Sequence, residues 1–273
     1  MQLVRAGSLL AIMAVGGPER PRPDASAPRA QLSRVARRSV FFGHQSVGMN
    51  VLDGVKDLAR ENGVALVVAD APVAASIPIG TLGHAWVGEN HKPETKLEGF
   101  ARAIDAMPGA GVDIALVKFC YVDFSAQTDS RALLLRYQAV IAQLKRRHPR
   151  TTFVHVTAPI STVQGGLKGF AKQMIGKAPY GAIENVRRDE YNVLLREAYQ
   201  GKEPLFDLAS VESTAPDGSV ETVTWNGQTA PILQSAYTDD GGHLNAEGRR
   251  RAALVLISVL ASVPEPRSAA AAP

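Results

Sequence analysis

The sequence predicts a three-layer α/β/α fold built on a parallel sheet. Short runs of β-branched or aliphatic residues alternate along the chain with longer segments whose apolar residues recur at helical spacing. The short runs are apolar at nearly every position, as in parallel strands that are covered on both faces. Strands that alternate with helices in this way form one parallel sheet with helices on either side.

The predicted elements follow in order along the chain. Four strands are expected, at residues 39–42, 64–68, 113–119 and 152–156. Amphipathic helices are expected from the spacing of three groups of apolar residues: Val51, Val55 and Leu58; Leu97, Phe100, Ile104 and Met107; Leu133, Tyr137, Val140, Ile141 and Leu144. Ligands bind beyond the carboxyl ends of the strands in such sheets, so functional residues are expected just after the strands.

Two segments interrupt the alternation of strands and helices. Residues 161–181 contain several glycines and lysines and predict a mobile basic loop after the fourth strand. Residues 211–233 contain Asp217-Gly218 and Asn226-Gly227, two dipeptides typical of type I′ turns, with alternating valine and threonine residues between them. This second segment predicts a small β insertion.

The 273 residues are enough for one folded domain, which we expect at residues 35–263. The formal net charge is +4, but residues 1–40 hold seven arginines against two acidic residues, so the excess charge belongs to the N-terminal segment. Residues 1–34 predict a disordered basic leader, and residues 264–273 a disordered tail. Because the positive charge is confined to the leader, no nucleic-acid partner is expected.

The leader also carries a short hydrophobic stretch. Residues 8–16 are mostly apolar, follow Arg5 and end in small residues before Pro18, which resembles a weak secretory signal. The sequence therefore predicts export, to the periplasm or outside the cell, with a cytoplasmic location as the alternative. No apolar run reaches the roughly 18 to 20 residues that span a bilayer, so no stable membrane insertion is expected.

The cysteine and histidine content argues against a cofactor or a metal. A single cysteine, Cys120, excludes an intramolecular disulfide and a multi-cysteine metal site, and its apolar surroundings predict a buried structural thiol. Three histidines, His44, His84 and His91, could be metal ligands, but no carboxylate-rich cluster or metal motif accompanies them. We therefore expect neither a metal nor a cofactor.

Three residues have the chemistry of a serine-hydrolase triad. Ser46 directly follows the first predicted strand, and Asp240 stands three residues before His243 near the end of the chain. A serine hydroxyl attacks efficiently when a histidine takes its proton and a carboxylate orients that histidine. Two alternatives stay open at this point: Ser46 could cap a helix over 47–60, and residues 240–242 could form only a tight turn.

Two sequence blocks around these residues carry a family resemblance. FFGHQSVG at 41–48 and DGGHLNAEG at 240–248 resemble the nucleophile block and the acid–base block of SGNH (GDSL-like) hydrolases. The resemblance implies that Ser46 is the nucleophile, His243 the base and Asp240 the acid. Where the family usually has Gly-Asp-Ser, this chain has a histidine and a glutamine before the serine.

The resemblance covers residues 39–263 and also has consequences for the fold. It implies a flavodoxin-like α/β/α arrangement, with the small β insertion just before the catalytic histidine. It further implies a long amphipathic helix after that histidine, which residues 252–260 fit.

The chain departs from the family in the donors that would bind the oxyanion. The family uses the N–H of the nucleophile, a glycine N–H after strand two and an asparagine side chain after strand three. Gly88 matches the glycine, but Val122 stands at the asparagine position, beside a retained Asp123. Asn90 could supply the missing donor, and Gln45 is a further candidate for substrate binding.

Plainer roles are also open for these residues. Gly88 and Asn90 could be loop residues selected for their backbone conformation. Asp123 is expected to accept hydrogen bonds that orient its loop rather than to serve as the triad acid.

The resemblance implies a serine esterase that acts on O-acyl esters of carbohydrates, for example O-acetyl esters, through an acyl-serine intermediate. The expected partner is a small-molecule or carbohydrate ester. One alternative is an O-acyltransferase with the same acyl-enzyme. A second alternative is a non-catalytic polysaccharide-binding relative, which the valine at position 122 makes credible.

Overall fold

A six-stranded parallel sheet forms the centre of the molecule. The computed structural model describes residues 27–71, 76–109, 111–164 and 177–265. The strands are β1 (Ser39–His44), β2 (Val67–Asp70), β3 (Thr81–Trp86), β4 (Ile114–Val117), β5 (Thr152–Val156) and β6 (Leu205–Phe206). Their order is β2-β3-β1-β4-β5-β6, and all neighbouring pairs are parallel. Without the edge strand β2, the remaining five strands have the 2-1-3-4-5 order of flavodoxin-like sheets.

Helices cover both faces of this sheet. They are α1 (Ala27–Val35), α2 (Ser46–Glu61), α3 (Pro93–Asp105), α4 (Ser130–Arg147), α5 (Ala182–Tyr199), α6 (Leu208–Ser213) and α7 (Ala246–Ser262). Side chains of β1 point alternately to two separate cores. Val40 and Phe42 pack with α1, α2, α6 and α7, whereas Phe41 packs with α3, α4 and α5. The predicted α/β/α fold with a parallel sheet is confirmed.

The sequence missed two strands of the sheet. One is β6, which has only two residues. The other is β3 at residues 81–86, and β2 begins at Val67 rather than at residue 64. The sequence of β3 contains Gly83, His84 and Ala85 and so lacks a run of β-branched residues. Gly83 packs closely under Ile77, since a Cβ there would lie 2.8 Å from the Cδ1 atom of Ile77. A small residue at this position removes part of the sequence pattern that predicts a strand.

The N-terminal boundary of the folded region also differs from the prediction. Helix α1 begins at Ala27, inside the segment that was predicted to be a disordered leader. Leu32 and Val35 are fully buried, and the helix packs mainly against α7. The proline-rich and arginine-rich residues just before α1 concealed it. The leader before Ala27 and the tail beyond residue 265 lie outside the described residues.

The β insertion is a hairpin of β7 (Thr222–Trp225) and β8 (Gln228–Pro231), as predicted. Asn226 and Gly227 connect the strands with φ angles of 48° and 79°, and a type I′ turn requires positive values at both positions. The second predicted type I′ turn, at Asp217-Gly218, is wrong, because only the glycine has a positive φ there. The Asp217 carboxylate instead accepts a hydrogen bond from the N–H of Ser219 at 2.9 Å.

Two further expectations concern the predicted basic loop and Cys120. Most of the predicted basic loop, residues 165–176, lies outside the described residues. Cys120 is 1% exposed, in agreement with a structural thiol. Among the described helices, none combines the length and the apolar character needed to cross a bilayer.

Candidate active site

Ser46 lies at the carboxyl edge of the sheet, at the first turn of α2. Strand β1 ends at His44, and Gln45 is the N-cap of α2 without a side-chain capping bond. The Ser46 hydroxyl does not cap the helix, because its Oγ lies 2.9 Å from Nε2 of His243. Gly48 makes the tight entry to the helix possible, since a Cβ there would lie 2.4 Å from Cβ of His44.

Asp240 and His243 form a hydrogen-bonded pair on one short turn. Asp240 Oδ2 lies 2.6 Å from Nδ1 of His243, and Oδ1 accepts the backbone N–H groups of Gly242 at 2.9 Å and His243 at 2.8 Å. Donation from the His243 N–H is the largest of the effects that hold the pKa of Asp240 well below its usual range. The carboxylate therefore stays ionised beside the imidazole.

The contact with Asp240 determines which nitrogen of His243 carries the proton when the ring has one proton. An ionised carboxylate can only accept, so Nδ1 of His243 carries the proton that it donates to Asp240. Nε2 of the neutral imidazole is then an acceptor for the hydroxyl proton of Ser46. The hydrogen bonds run without interruption from Ser46 through His243 to Asp240, and the structure brings together all three predicted triad residues.

The turn that carries the acid and the base rests on two neighbouring side chains. Gly241 has a φ of 88° and accepts the N–H of Thr162 at 2.9 Å. Gly242 lies against the ring of Tyr121, where a Cβ would be 2.7 Å from Cζ. The same ring meets the imidazole of His243 edge to face, at 5.9 Å between centroids. Thr162 and Tyr121 thus orient His243 from outside the triad.

Close packing of α2 on α7 sets the distance between nucleophile and base. A Cβ on Gly54 of α2 would lie 2.5 Å from the carbonyl oxygen of Arg249 in α7. The side chain of Asn50 accepts the N–H of Leu244 at 3.1 Å, directly after the base. Together these contacts connect the first turn after β1 to the start of α7.

The loop after β3 lies beside Ser46 and holds two of the predicted oxyanion residues. Gln45 is 7% exposed, and its Nε2 donates to the carbonyl oxygens of Val87 at 2.9 Å and Gly88 at 3.0 Å. Both amide protons of Gln45 are therefore used to fix this loop. Gln45 thus holds the loop in place, and its role in substrate binding stays a prediction.

Gly88 and Asn90 are exposed on this loop. Gly88 has a φ of 63°, and a Cβ there would lie 2.4 Å from the backbone nitrogen of Lys96. Only glycine fits this position. Asn90 Oδ1 lies 3.4 Å from Nζ of Lys96, which leaves the amide nitrogen of Asn90 for other acceptors. The roles of Gly88 and Asn90 as oxyanion donors stay predictions.

Asp123 is buried and acts as the orienting acceptor that was predicted. Its Oδ1 accepts from Nζ of Lys96 at 2.7 Å and from the N–H of His91 at 3.0 Å, and its Oδ2 accepts from the N–H of Cys120 at 2.7 Å. Asp123 therefore joins the loop after β3 to the short 3₁₀ turn Tyr121–Asp123 after β4.

Lys96 was missed by the sequence analysis. Its side chain is fully buried, and Nζ donates to the carbonyl oxygen of Glu89 at 2.7 Å in addition to Asp123. The sequence did indicate that Lys96 is buried, because it lies four residues before Phe100 and seven before Ala103, on the apolar face of α3. A lysine in that stripe indicates a buried charge with a partner.

The three histidines considered as metal ligands do not form one cluster. His44 Nε2 lies 3.1 Å from Nδ1 of His84, and burial lowers the pKa of His44 to about 3. His91 instead binds Asp123 through its backbone. Within the described part of the chain, no group of three or more histidine, cysteine or acidic side chains is arranged to bind a metal ion.

Comparison with known proteins gives structural neighbours only. No protein-family model matches the sequence, and no curated protein matches it. One similar solved structure is a protein from Streptococcus pneumonia that is provisionally named a platelet activating factor. It is 16% identical, with a TM-score of 0.47, over 86% of this chain and 92% of that chain.

Two further neighbours have more informative names. A protein from Desulfitobacterium hafniense DCB-2, provisionally named a lipolytic protein of the G-D-S-L family, is 9% identical over 81% of this chain and 98% of its own, with a TM-score of 0.45. The periplasmic domain of a lipopolysaccharide acetyltransferase from Salmonella ser. Paratyphi A is 13% identical over 85% of this chain and 86% of its own, with a TM-score of 0.41.

Proposed function

We propose that this protein is a serine esterase of the SGNH type. The observation that carries the proposal is the unbroken hydrogen-bond chain from Ser46 through His243 to Asp240 at the carboxyl edge of the sheet. The two plainer alternatives explain less of this geometry. A capping serine would bond to the backbone of its own helix, and a simple turn would not direct an imidazole toward a serine that is 197 residues away.

The proposed reaction proceeds in two acyl-transfer steps. His243 Nε2 removes the hydroxyl proton of Ser46 as Oγ bonds to the ester carbonyl carbon, which forms a tetrahedral oxyanion. The imidazolium then gives this proton to the departing alkoxide, the carbon–oxygen bond breaks and an acyl-serine remains. Water, deprotonated by His243, attacks the acyl group, and the acid leaves as Ser46 regains its proton. Asp240 stabilises the imidazolium in both steps.

The negative charge of the tetrahedral oxyanion needs fixed donors. The N–H of Ser46 at the first turn of α2 and the N–H of Gly88 are the proposed backbone donors, and the amide of Asn90 is the proposed third donor in place of the valine at position 122. Support comes from the contacts of Gln45 with Val87 and Gly88, which keep this loop beside the nucleophile.

The proposed substrate is an O-acyl ester of a carbohydrate, such as an O-acetyl ester. This choice rests on the family resemblance of the sequence, because a fold alone does not determine a substrate. Water as the acyl acceptor makes the protein an esterase, whereas a sugar hydroxyl would make it an O-acyltransferase with the same acyl-serine.

Labelling with a fluorophosphonate tests the proposal directly. The reagent should add covalently to one peptide, the one that contains Ser46, and mass mapping identifies the modified residue. Ser46→Ala should remove both the label and ester hydrolysis while far-UV circular dichroism stays unchanged, since loss of a hydroxyl changes the packing little. Ser39→Ala is a poor control because Ser39 is buried and binds Asp113 of a distant segment. Ser219 is exposed and binds Asp217 within its own turn, so Ser219→Ala is the matched control.

Each result of this experiment has a defined meaning. Absence of a label on correctly folded protein, together with saccharide binding, would favour the non-catalytic alternative. Near-normal turnover by Ser46→Ala would overturn the mechanism. Product analysis with an acetylated sugar, in water and with a second sugar as acceptor, separates esterase from transferase.

A further inference from the structure

A groove of about 400 Å³ lies next to the turn that carries the acid and the base. One wall is formed by residues 240–242 of that turn. Tyr121, which packs against Gly242, also lines the groove, as do Tyr180, Gln164 and Arg188. Tyr121 also touches the ring of His243 edge to face, so the groove lies on the histidine side of the site.

The position of the groove indicates which half of an ester it would hold. In the first step His243 must give its proton to the oxygen of the departing alcohol, so that oxygen has to lie close to Nε2 of His243. The oxyanion points instead toward the donors at Ser46 and on the loop after β3. Most of the groove is lined by residues on the histidine side, and of the loop after β3 only His91 reaches it. The groove therefore accommodates the alcohol, which is the group that leaves.

The walls of the groove offer hydrogen-bonding groups. Arg188 is 3% exposed, and its bonds within the described residues use Nε, which binds the carbonyl oxygen of Tyr121, and Nη1, which binds Ser161 Oγ and Asn185 Oδ1. Nη2 remains as a donor for a ligand oxygen. In the described part of the chain, Oε1 of Gln164 is a buried acceptor without a hydrogen-bond partner, and a hydroxyl donor would satisfy it.

Two features of the walls favour a neutral ring over an anion or a lipid chain. The phenol of Tyr180 is 74% exposed at the groove, and Tyr121 supplies a second aromatic face. Glu184 lines the same groove as Arg188 and offsets its positive charge. A ring with several hydroxyls combines an apolar face for the tyrosines with oxygens for Arg188 and Gln164.

We propose that this groove is the subsite for the leaving alcohol, and that it selects a neutral, hydroxyl-bearing ring such as a sugar. The inference rests on the proposed esterase function and adds to it the orientation of the substrate. The acyl group lies outside the groove, so the groove discriminates between alcohols rather than between acyl chains.

Three esters distinguish recognition of the alcohol half of the substrate from recognition of its acyl half. An O-acetylated xylo-oligosaccharide and ethyl acetate share their acyl group, whereas ethyl acetate and ethyl hexanoate share their alcohol. In Tyr180→Ala we expect the ratio of kcat/KM for the acetylated sugar to that for ethyl acetate to fall about tenfold, the loss of one aromatic contact. Ile79→Ala is the matched control, since Ile79 is 73% exposed but precedes β3 at the opposite edge of the sheet. A change only in the ratio of ethyl hexanoate to ethyl acetate would place the acyl chain in the groove and overturn the inference, as would no change in either ratio.

A binding measurement keeps this test independent of catalysis. Ser46→Ala is titrated with the acetylated xylo-oligosaccharide by calorimetry, and Ser46→Ala/Tyr180→Ala is titrated in the same way. Binding that the second substitution weakens supports the groove even if the native protein hydrolyses no ester, in which case only the proposed esterase function fails. Equal binding by the two variants, or no binding by either at millimolar sugar, overturns the inference.

Discussion

The ammonium of Lys96 lies 2.7 Å from Oδ1 of Asp123, and both side chains are completely buried. The same ammonium binds the carbonyl oxygen of Glu89 and contacts Oδ1 of Asn90. One buried ion pair therefore connects α3, the loop after β3 and the turn after β4. Because Gly88 and Asn90 lie on that loop, the ion pair determines where their donors can point.

Asn90→Ala should lower kcat by roughly 10² to 10³ with little change in KM, because an oxyanion donor acts mainly in the transition state. Steady-state hydrolysis of a small acetate ester measures both constants. Glu89→Ala is the neighbouring control, since the Glu89 side chain only pairs with Lys92 at the surface. An unchanged kcat in Asn90→Ala would remove Asn90 from the oxyanion site.

Lys96→Met should destabilise the protein by about 3 to 5 kcal/mol, because it leaves the carboxylate of Asp123 buried without its counter-ion. Urea denaturation measures this loss, and Lys96→Met/Asp123→Asn should recover part of it. If Lys96 also orients Asn90, the two substitutions should not be additive. Lys96→Met should then lower kcat by a smaller factor in the Asn90→Ala variant than in the native protein. Fully additive effects on kcat would limit Lys96 to a structural role.

Asp240→Asn should reduce kcat on the order of 10⁴-fold, as removal of the negative charge does in other triads. The adjacent Asp239 provides the control, because its carboxylate lies 3.4 Å from Nδ2 of Asn245 and is not bonded to His243. Asp239→Asn should therefore keep most of the activity. The reverse pattern would show that the acid has been misassigned.

Deletion of residues 1–26 should leave ester hydrolysis unchanged, because the deletion ends before α1 and the triad needs none of the charge of the leader. A chain that begins at Ala36 should instead lose about 3 to 6 kcal/mol of stability, since it lacks the buried side chains of Leu32 and Val35. Thermal unfolding and activity of both chains test this boundary. Equal stability of the two would mean that α1 contributes nothing to the fold.

The stability of the protein should decrease as the pH rises from 4.5 to 8, through the proton on Glu212. Burial raises the pKa of this carboxyl from 4.5 to about 8, although the N–H of Ile160 and the charges of Lys118 and Arg188 oppose the shift. Between these two pH values the unfolded chain releases a proton that the folded protein keeps, so the contribution of Glu212 is full below 4.5 and is lost by 8. In Glu212→Gln the midpoint of urea denaturation should depend less on pH across this range. An unchanged dependence on pH would contradict the raised pKa of Glu212.

The sequence predicted the parallel sheet and the pairing of Asp240 with His243 because both depend on local patterns. The buried strand β5 reads as an apolar run, and the spacing of Asp240 and His243 is short enough to be seen as one block. The partnership of this block with Ser46 required a family resemblance, since no local rule relates residues 197 positions apart.

What the sequence did not reveal depends on contacts between distant segments. Strand β3 is held by pairing with β1 and β2 on its two sides, and its glycine and histidine hide it. Gln45 adjoins the nucleophile in sequence, but only the path of the loop after β3 shows that its amide nitrogen binds Val87 and Gly88. Lys96 resembled an ordinary surface lysine until its helix was placed.

The packing of α2 against α7 has a consequence for the newly made protein. On the ribosome Ser46 emerges 197 residues before His243, so a growing chain contains the serine long before the histidine that it binds. The esterase activity that we propose therefore requires α7 to be docked beside α2. In a refolding experiment, the appearance of ester cleavage would report the moment at which the fold is completed.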